Sequence, residues 1–361
     1  MIVYVVLELF ILGLCLDKKF YYRQQKILFL ISATAILFIF CFRSKYVGYD
    51  TPNYVDFFLN RYGFYGDWKF PAFADTEHGF LWFCKLLRVF TSDEQTYLIV
   101  YAFVVLLPIF YLIKMKSGQP VMALLALFAI KMPYTTLLAA MRQSVAISLL
   151  FIAAICFEKD IKNKKFIVGA FLVASIWTHN TMLLVIALIL VLSLLDINVK
   201  TYKVGIAFTF LFGLFFGDQI GNYFDMALSL LSEQGMQNAL HYDADDLKGK
   251  MEFVQTAPLS LMCLCSFHYM TEKERKEIYT KCMFLACCFF NIFNGSNSVV
   301  RLGIPLLLLG FVTLFPSRLR TDKRAYYIFF VFMAYFTWRA CAAVMRADLS
   351  IPGTEYNFMW N

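Results

Sequence analysis

A chain of 361 residues that is 60% apolar and only 16% charged has too few polar groups to cover the surface of a soluble domain, so much of that surface must face lipid. Its 33 Lys and Arg against 25 Asp and Glu leave a formal net charge of +8. Short basic connections lying against anionic lipid account for that excess, which therefore carries no indication of nucleic acid.

The apolar residues come in runs of 15–20, enough for a helix to cross about 30 Å of hydrocarbon. They do not alternate as barrel strands do, which leaves helices as the spanning structure. In chain order the runs predict spans at 1–16, 27–42, 96–113, 120–140, 143–157, 166–178, 181–195, 203–220, 254–270, 282–300, 302–316 and 326–345. The first has no preceding basic residue, carries Glu8 and lacks a small-x-small cleavage site, so it reads as a retained helix. Segment 79–90 is apolar but short and holds Lys85 and Arg88, which predicts a re-entrant or interfacial helix.

The resulting fold class is all-α: one polytopic membrane domain over 1–361, with about twelve transmembrane helices. Six short connections (17–26, 114–119, 158–165, 196–203, 271–281 and 317–325) hold 20 of the 33 basic residues. Twelve spans put all six on one side, the cytoplasm by the positive-inside rule. Both termini and the long connections at 43–95 and 221–253 then lie outside. No G-x-x-x-x-G-K loop and no internal repeat is present. Most of the ten Cys lie inside apolar runs and none has CxxC spacing. They read as buried thiols rather than as zinc ligands or a disulfide framework.

The residues that carry chemistry are charged groups at membrane depth or at outer helix ends. Arg142 and Gln143 open a helix that is otherwise apolar and rich in small residues. Arg301 falls between two spans, after the polar run Asn291, Asn294, Gly295, Ser296, Asn297, Ser298; Arg339 lies two-thirds of the way along the last helix. Arg deep in a helix costs about 2.5–3.5 kcal/mol on insertion scales, so it pairs, lines a wet cavity, or snorkels to headgroups. Two arginines converging near the outer leaflet suit a phosphate or diphosphate, held bidentately. The Gly-Ser-Asn run would let the helix unwind there and expose backbone N–H groups to the same anion.

His179 lies at the polar break Thr178-His179-Asn180, predicted at the outer surface. It is the natural general base there; the alternative is a hinge or cap. The loop after Phe42 interleaves Arg43, Asp50, Thr51, Asn53, Tyr54 and Asp56 with aromatics, followed by Glu77 and His78. Such a mixture suits sugar binding, though interfacial aromatic belts look similar.

These pieces together resemble the EpsG family of Wzy-type polymerases for bacterial exopolysaccharide, capsule and O-antigen. They are Arg43 with Gly48-Tyr49-Asp50-Thr51-Pro52-Asn53-Tyr54, then Glu77-His78-Gly79-Phe80, Met141-Arg142-Gln143-Ser144-Val145-Ala146, His179, Arg301-Leu302 and the aromatic tail around Tyr356 and Phe358. The residues after His179 depart from the family pattern, which more often has small ones there. The resemblance implies a glycosyltransferase of the bacterial inner (cytoplasmic) membrane, moving a growing glycan from undecaprenyl diphosphate onto a new lipid-linked unit on the outer face. It implies His179 first, Asp50 second and Glu77 third as the base. Arg142, Arg301 and Arg339 would hold the diphosphate, and Arg43, Asn53, Tyr54, Gln143 and Asn297 the glycan. No cofactor and no metal is expected. The implied partners are the lipid-linked oligosaccharide, membrane lipids, a flippase and a chain-length regulator. An O-antigen ligase uses the same donor with another acceptor. A lipid-linked oligosaccharide flippase and a non-catalytic assembly partner are the readings from other classes.

Overall fold

The computed structural model describes residues 2–48, 50–60, 77–233, 253–294 and 297–346, and within them every regular element is a helix. In chain order these are α1 (Ile2–Leu14), α2 (Lys18–Cys41), α3 (Thr51–Leu59), α4 (His78–Phe90), α5 (Glu94–Lys116), α6 (Pro120–Ala129), α7 (Lys131–Ala139) and α8 (Met141–Glu158). Then follow α9 (Lys164–Thr178), α10 (Met182–Leu194), α11 (Val199–Glu233), α12 (Phe253–Tyr269), α13 (Glu272–Lys276), α14 (Ile278–Ile292), α15 (Asn297–Gly310) and α16 (Lys323–Arg346). The predicted apolar runs fall on these helices, the run 120–140 on the pair α6 and α7, which is bent by 72°; the run 282–300 reaches past the end of α14 into α15, and the run 302–316 extends beyond the end of α15. Among the described residues four helices are long and apolar enough to cross a membrane, or five if that bent pair is one span.

Local chemistry moves several boundaries from their expected places. The stretch 17–26 is helix almost from its start, because the Asp17 carboxylate accepts the Lys19 N–H at 2.8 Å and caps α2. Its basic residues therefore ride on the first turns of a helix rather than on a connection. A capping box between Thr271 and Glu274 builds α13 inside the connection expected at 271–281. Lys281 then falls within α14, where it is buried and donates from Nζ to the carbonyls of Leu192 (3.2 Å) and Leu195 (2.6 Å). That is a cation on the negative end of α10. Helix α3 was expected as loop; Pro52 sits in its first turn, where the missing N–H costs nothing.

The helices fall into two compact units. The described residues up to Leu183 and from Tyr326 on form one, and Leu184–Ala325 form the other. In the first, α8 packs along α9 and α5, α2 packs on α5 and α6, and α4 lies on α9. The small residues of α8 permit this: Ala146, Ser148 and Ala153 are buried, and the Ser175 hydroxyl of α9 donates to the Ala146 carbonyl at 2.8 Å. In the second unit α14 packs against α15 and α11, with Gly213 of α11 against the Asn291 carbonyl. Asn291 is buried; it accepts from the Ser260 hydroxyl at 2.8 Å and donates to the Thr209 hydroxyl at 3.3 Å.

Candidate active site

The site is built at three helix ends of the first unit. Glu77 is the residue before α4, Arg142 lies in the first turn of α8, and His179 caps the C-terminus of α9. Residues at the position of Glu77 ordinarily turn their side chain back onto the helix N–H groups. Glu77 makes no such cap. Its Oε2 instead accepts from Arg142 Nη1 at 2.7 Å, and its Oε1 meets His179 Nδ1 at 2.8 Å. Arg142 also donates from Nε to the Tyr54 hydroxyl at 3.2 Å, and its guanidinium carbon lies 5.9 Å from the Tyr54 ring centroid.

Two packing features bring these groups together. Gly79 lets the start of α4 lie against the end of α9: a Cβ there would stand 2.7 Å from the carbonyl carbon of Trp177 and from the Thr178 nitrogen. Helix α3 is fixed by ring contacts, with Tyr54 edge-on to Phe80 at 5.5 Å and Phe58 stacked on Tyr97 at 4.2 Å. Arg88 closes the end of α3 by donating to the Phe58 carbonyl at 3.0 Å.

The electrostatics follow from burial. The Glu77 side chain is 9% exposed, His179 19% and Arg142 32%. Burial pushes the Glu77 carboxyl up, but the hydrogen bond from His179 and the Arg142 charge outweigh it and hold the group at about 2. Glu77 is thus a carboxylate at neutral pH, an acceptor only, so His179 Nδ1 must be the donor of the pair. In the neutral ring Nε2 is then the acceptor. Arg142 has donors beyond the two engaged with Glu77 and Tyr54, on a partly exposed side chain. The arrangement can take a proton at His179 Nε2 and hold an anion at Arg142, the two residues being linked by the Glu77 carboxylate. Among the described residues no group of three or more His, Cys, Asp or Glu side chains is placed to hold a metal ion.

The other sequence candidates lie elsewhere. Asp50 stands at the N-terminus of α3, and its carbonyl accepts the Tyr54 N–H at 3.2 Å; Asn53 is exposed on the same helix. Gln143 is buried in α8. Arg43, expected to meet glycan, is 0% exposed and donates from Nη1 to the chain's own Leu138 carbonyl at 2.9 Å. Arg301, expected between two spans, lies inside α15 in the second unit. The turn after α14 falls at Phe293 and Asn294, and the helix resumes at Asn297. Arg339 is half-buried on α16. Tyr49, Gly295, Ser296 and the tail with Tyr356 and Phe358 lie outside the described residues.

Sequence reasoning treated Glu77 as a third-choice base and Tyr54 as a glycan contact, and so missed that Glu77 links His179 to Arg142. The partners are 65, 88 and 102 residues apart, so no local spacing reveals them. The available signal was Glu77-His78-Gly79, an acid followed by a glycine at the start of a short amphipathic helix. No curated protein and no solved structure matches the chain. The model of the EpsG family matches residues 26–358, which include every member of the Glu77, Arg142, His179 and Tyr54 cluster. The chain belongs to the EpsG family, a family of Wzy-like polysaccharide polymerases.

Proposed function

We propose that this protein polymerises undecaprenyl-diphosphate-linked oligosaccharide units on the outer face of the cytoplasmic membrane. The observation that carries this reading is the Glu77–His179 pair beside Arg142: a base held in one tautomer next to a cation with free donor capacity. In the reaction the acceptor hydroxyl oxygen attacks the anomeric carbon of the donor glycan. Its proton passes to His179 Nε2, and the carbon–oxygen bond to the diphosphate breaks. Glu77 stabilises the imidazolium that forms, as the carboxylate of a catalytic triad does. Arg142 stabilises the charge developing on the departing diphosphate. A diphosphate leaves as a stable anion, so no strong general acid is required.

The same reading includes Arg339 as a further anion contact, and Asn53 and Tyr54 as contacts to sugar. It includes twelve crossings with both termini outside, supported by the coincidence of the apolar runs with helices and by the grouping of basic residues into six short stretches between or beside them. A chain-length regulator and a flippase are its working partners.

The test is a deletion strain complemented with the wild-type protein or with His179→Gln. Gln keeps a hydrogen-bonding side chain but cannot take a proton near neutral pH. Loss of polymer with single lipid-linked units accumulating outside supports the polymerase. Units trapped on the inner side would mean a flippase. Normal polymer from His179→Gln would remove His179 as the base.

A further inference from the structure

Helix α7 ends at Ala139 within an apolar chain, so its last carbonyls need partners that lipid cannot supply. The Thr136 carbonyl keeps a backbone bond from the Ala140 N–H at 3.0 Å and gains a second donor, the Ser144 hydroxyl, also at 3.0 Å. Leu137 accepts from the Tyr101 hydroxyl at 2.6 Å. Leu138 accepts from Arg43 Nη1 at 2.9 Å and from the Thr51 hydroxyl at 3.3 Å. The donors come from α8, α5, the stretch after α2, and α3, so four parts of the chain converge on one helix end. Gly48 makes the approach possible. Its φ is +98°, and a Cβ there would stand 2.6 Å from the Thr51 hydroxyl and 3.3 Å from the Leu138 carbonyl.

Arg43 is the costly member of this group. It is fully buried, with its guanidinium carbon 5.7 Å from the Phe40 ring centroid and 5.5 Å from that of Tyr101. A buried charge persists where it is hydrogen-bonded and well placed. The C-terminal end of α7 is the negative end of its dipole, which suits a cation. Ala140, the corner itself, is both the last cap of α7 and the first of α8, and Arg142 follows two residues later.

We infer that Arg43 is a positioning residue: with Tyr101 and Thr51 it locks the α7–α8 corner and thereby aims Arg142 at Glu77. The functional half of this inference rests on Arg142 serving the polymerase reaction proposed above. The structural half does not.

The experiment uses the full-length protein with Arg43→Gln and Tyr101→Phe, the second removing one hydroxyl and leaving the ring. Amide hydrogen exchange across 139–146 should rise in both, with exchange in α9 unchanged. The polymerisation rate should fall, by roughly 10²-fold for Arg43→Gln if the guanidinium of Arg142 shifts by about 1 Å. The decisive comparison adds Arg43→Gln to an Arg142→Lys background. A residue that acts through Arg142 loses most of its effect once Arg142 is gone, whereas an independent structural contribution adds in full. Rates that add in full would overturn the positioning role. Unchanged exchange over 139–146 would overturn the lock whatever the protein's activity. If the wild type made no polymer, the polymerase reading would fall and the exchange result alone would decide the lock.

Discussion

Gly79→Ala isolates the contact between α4 and α9. The added Cβ would meet the backbone of Trp177 and Thr178 at 2.7 Å, against ordinary contact from 3.4 Å outward. Backbone on a packed helix cannot rotate away as a side chain can, so α4 must withdraw from α9 by at least about 0.7 Å, the gap between those distances. Glu77, two residues earlier, travels with α4 while His179 stays with α9. Their 2.8 Å bond would stretch to the edge of hydrogen-bonding distance. Overpacking of this kind costs about 1–3 kcal/mol of stability, and a misplacement near 1 Å costs roughly 10²-fold in rate. The assay is polymer amount and length in a complemented deletion strain, with protein level followed by immunoblot and Tm measured on purified protein. Gly169→Ala is the control: it lies in α9 with nothing within 4 Å of its Cβ, and should leave both readouts intact. Wild-type polymer from Gly79→Ala at normal protein level would refute the claim that this approach sets the Glu77–His179 geometry.

Arg142→Ala should abolish polymer at normal protein level, and Arg142→Lys should restore it only in part, since an ammonium cannot reach Glu77 and Tyr54 with a planar fork; full activity from Lys would reduce Arg142 to a point charge. The Glu77 carboxyl, held at about 2 against an ordinary value of 4.5, contributes stability that is fully present above pH 4.5 and lost as pH falls toward 2, on the order of 3 kcal/mol at most. The Tm difference between wild type and Glu77→Gln should therefore be flat from pH 6 to 5 and shrink below pH 4.5; a difference that grows on acidification would contradict the assignment. Lys281→Met removes the cation from the end of α10 and should lower Tm and speed exchange over 192–195 while leaving turnover per folded molecule unchanged. A loss of turnover without a loss of Tm would give Lys281 a role the structure does not suggest.

What could be read from the sequence was whatever depends on composition over a window. Apolar runs marked the helices because lipid demands them, and the brevity of 79–90 already set α4 apart. Boundaries failed where a single side chain decides: Asp17 starts α2 earlier than hydropathy does, and Thr271 with Glu274 nucleates a turn inside a charged stretch. Arg301 was placed in a gap between the spans 282–300 and 302–316 because it is charged, although a helix can carry one arginine near its start. At the site, His179 and Arg142 stood out as polar residues in apolar surroundings. Arg43 was singled out instead in a polar, aromatic loop suited to sugar, and it serves a carbonyl. Hydropathy registers that a buried cation needs a partner and is silent on whether that partner is a ligand or the protein's own backbone.

The placement of the three site residues at helix ends has an electrostatic logic of its own. Glu77 sits at the positive end of α4, where a carboxylate is favoured. His179 sits at the C-terminal, negative end of α9, with its Nδ1 on the Glu77 carboxylate. Arg142 is the exception: a cation in the first turn of α8, at that helix's positive end. Its position is disfavoured unless negative charge is supplied nearby, and in the resting structure one carboxylate supplies it, shared with His179. In the proposed reaction a donor anion approaching Arg142 would meet both the guanidinium and the helix dipole, and would weaken the hold of Arg142 on Glu77 as it bound. Less of the Glu77 charge would then be compensated by arginine, and more would be available to His179 when the acceptor proton is taken. On that reading, binding of the donor and readiness of the base would be coupled through one carboxylate.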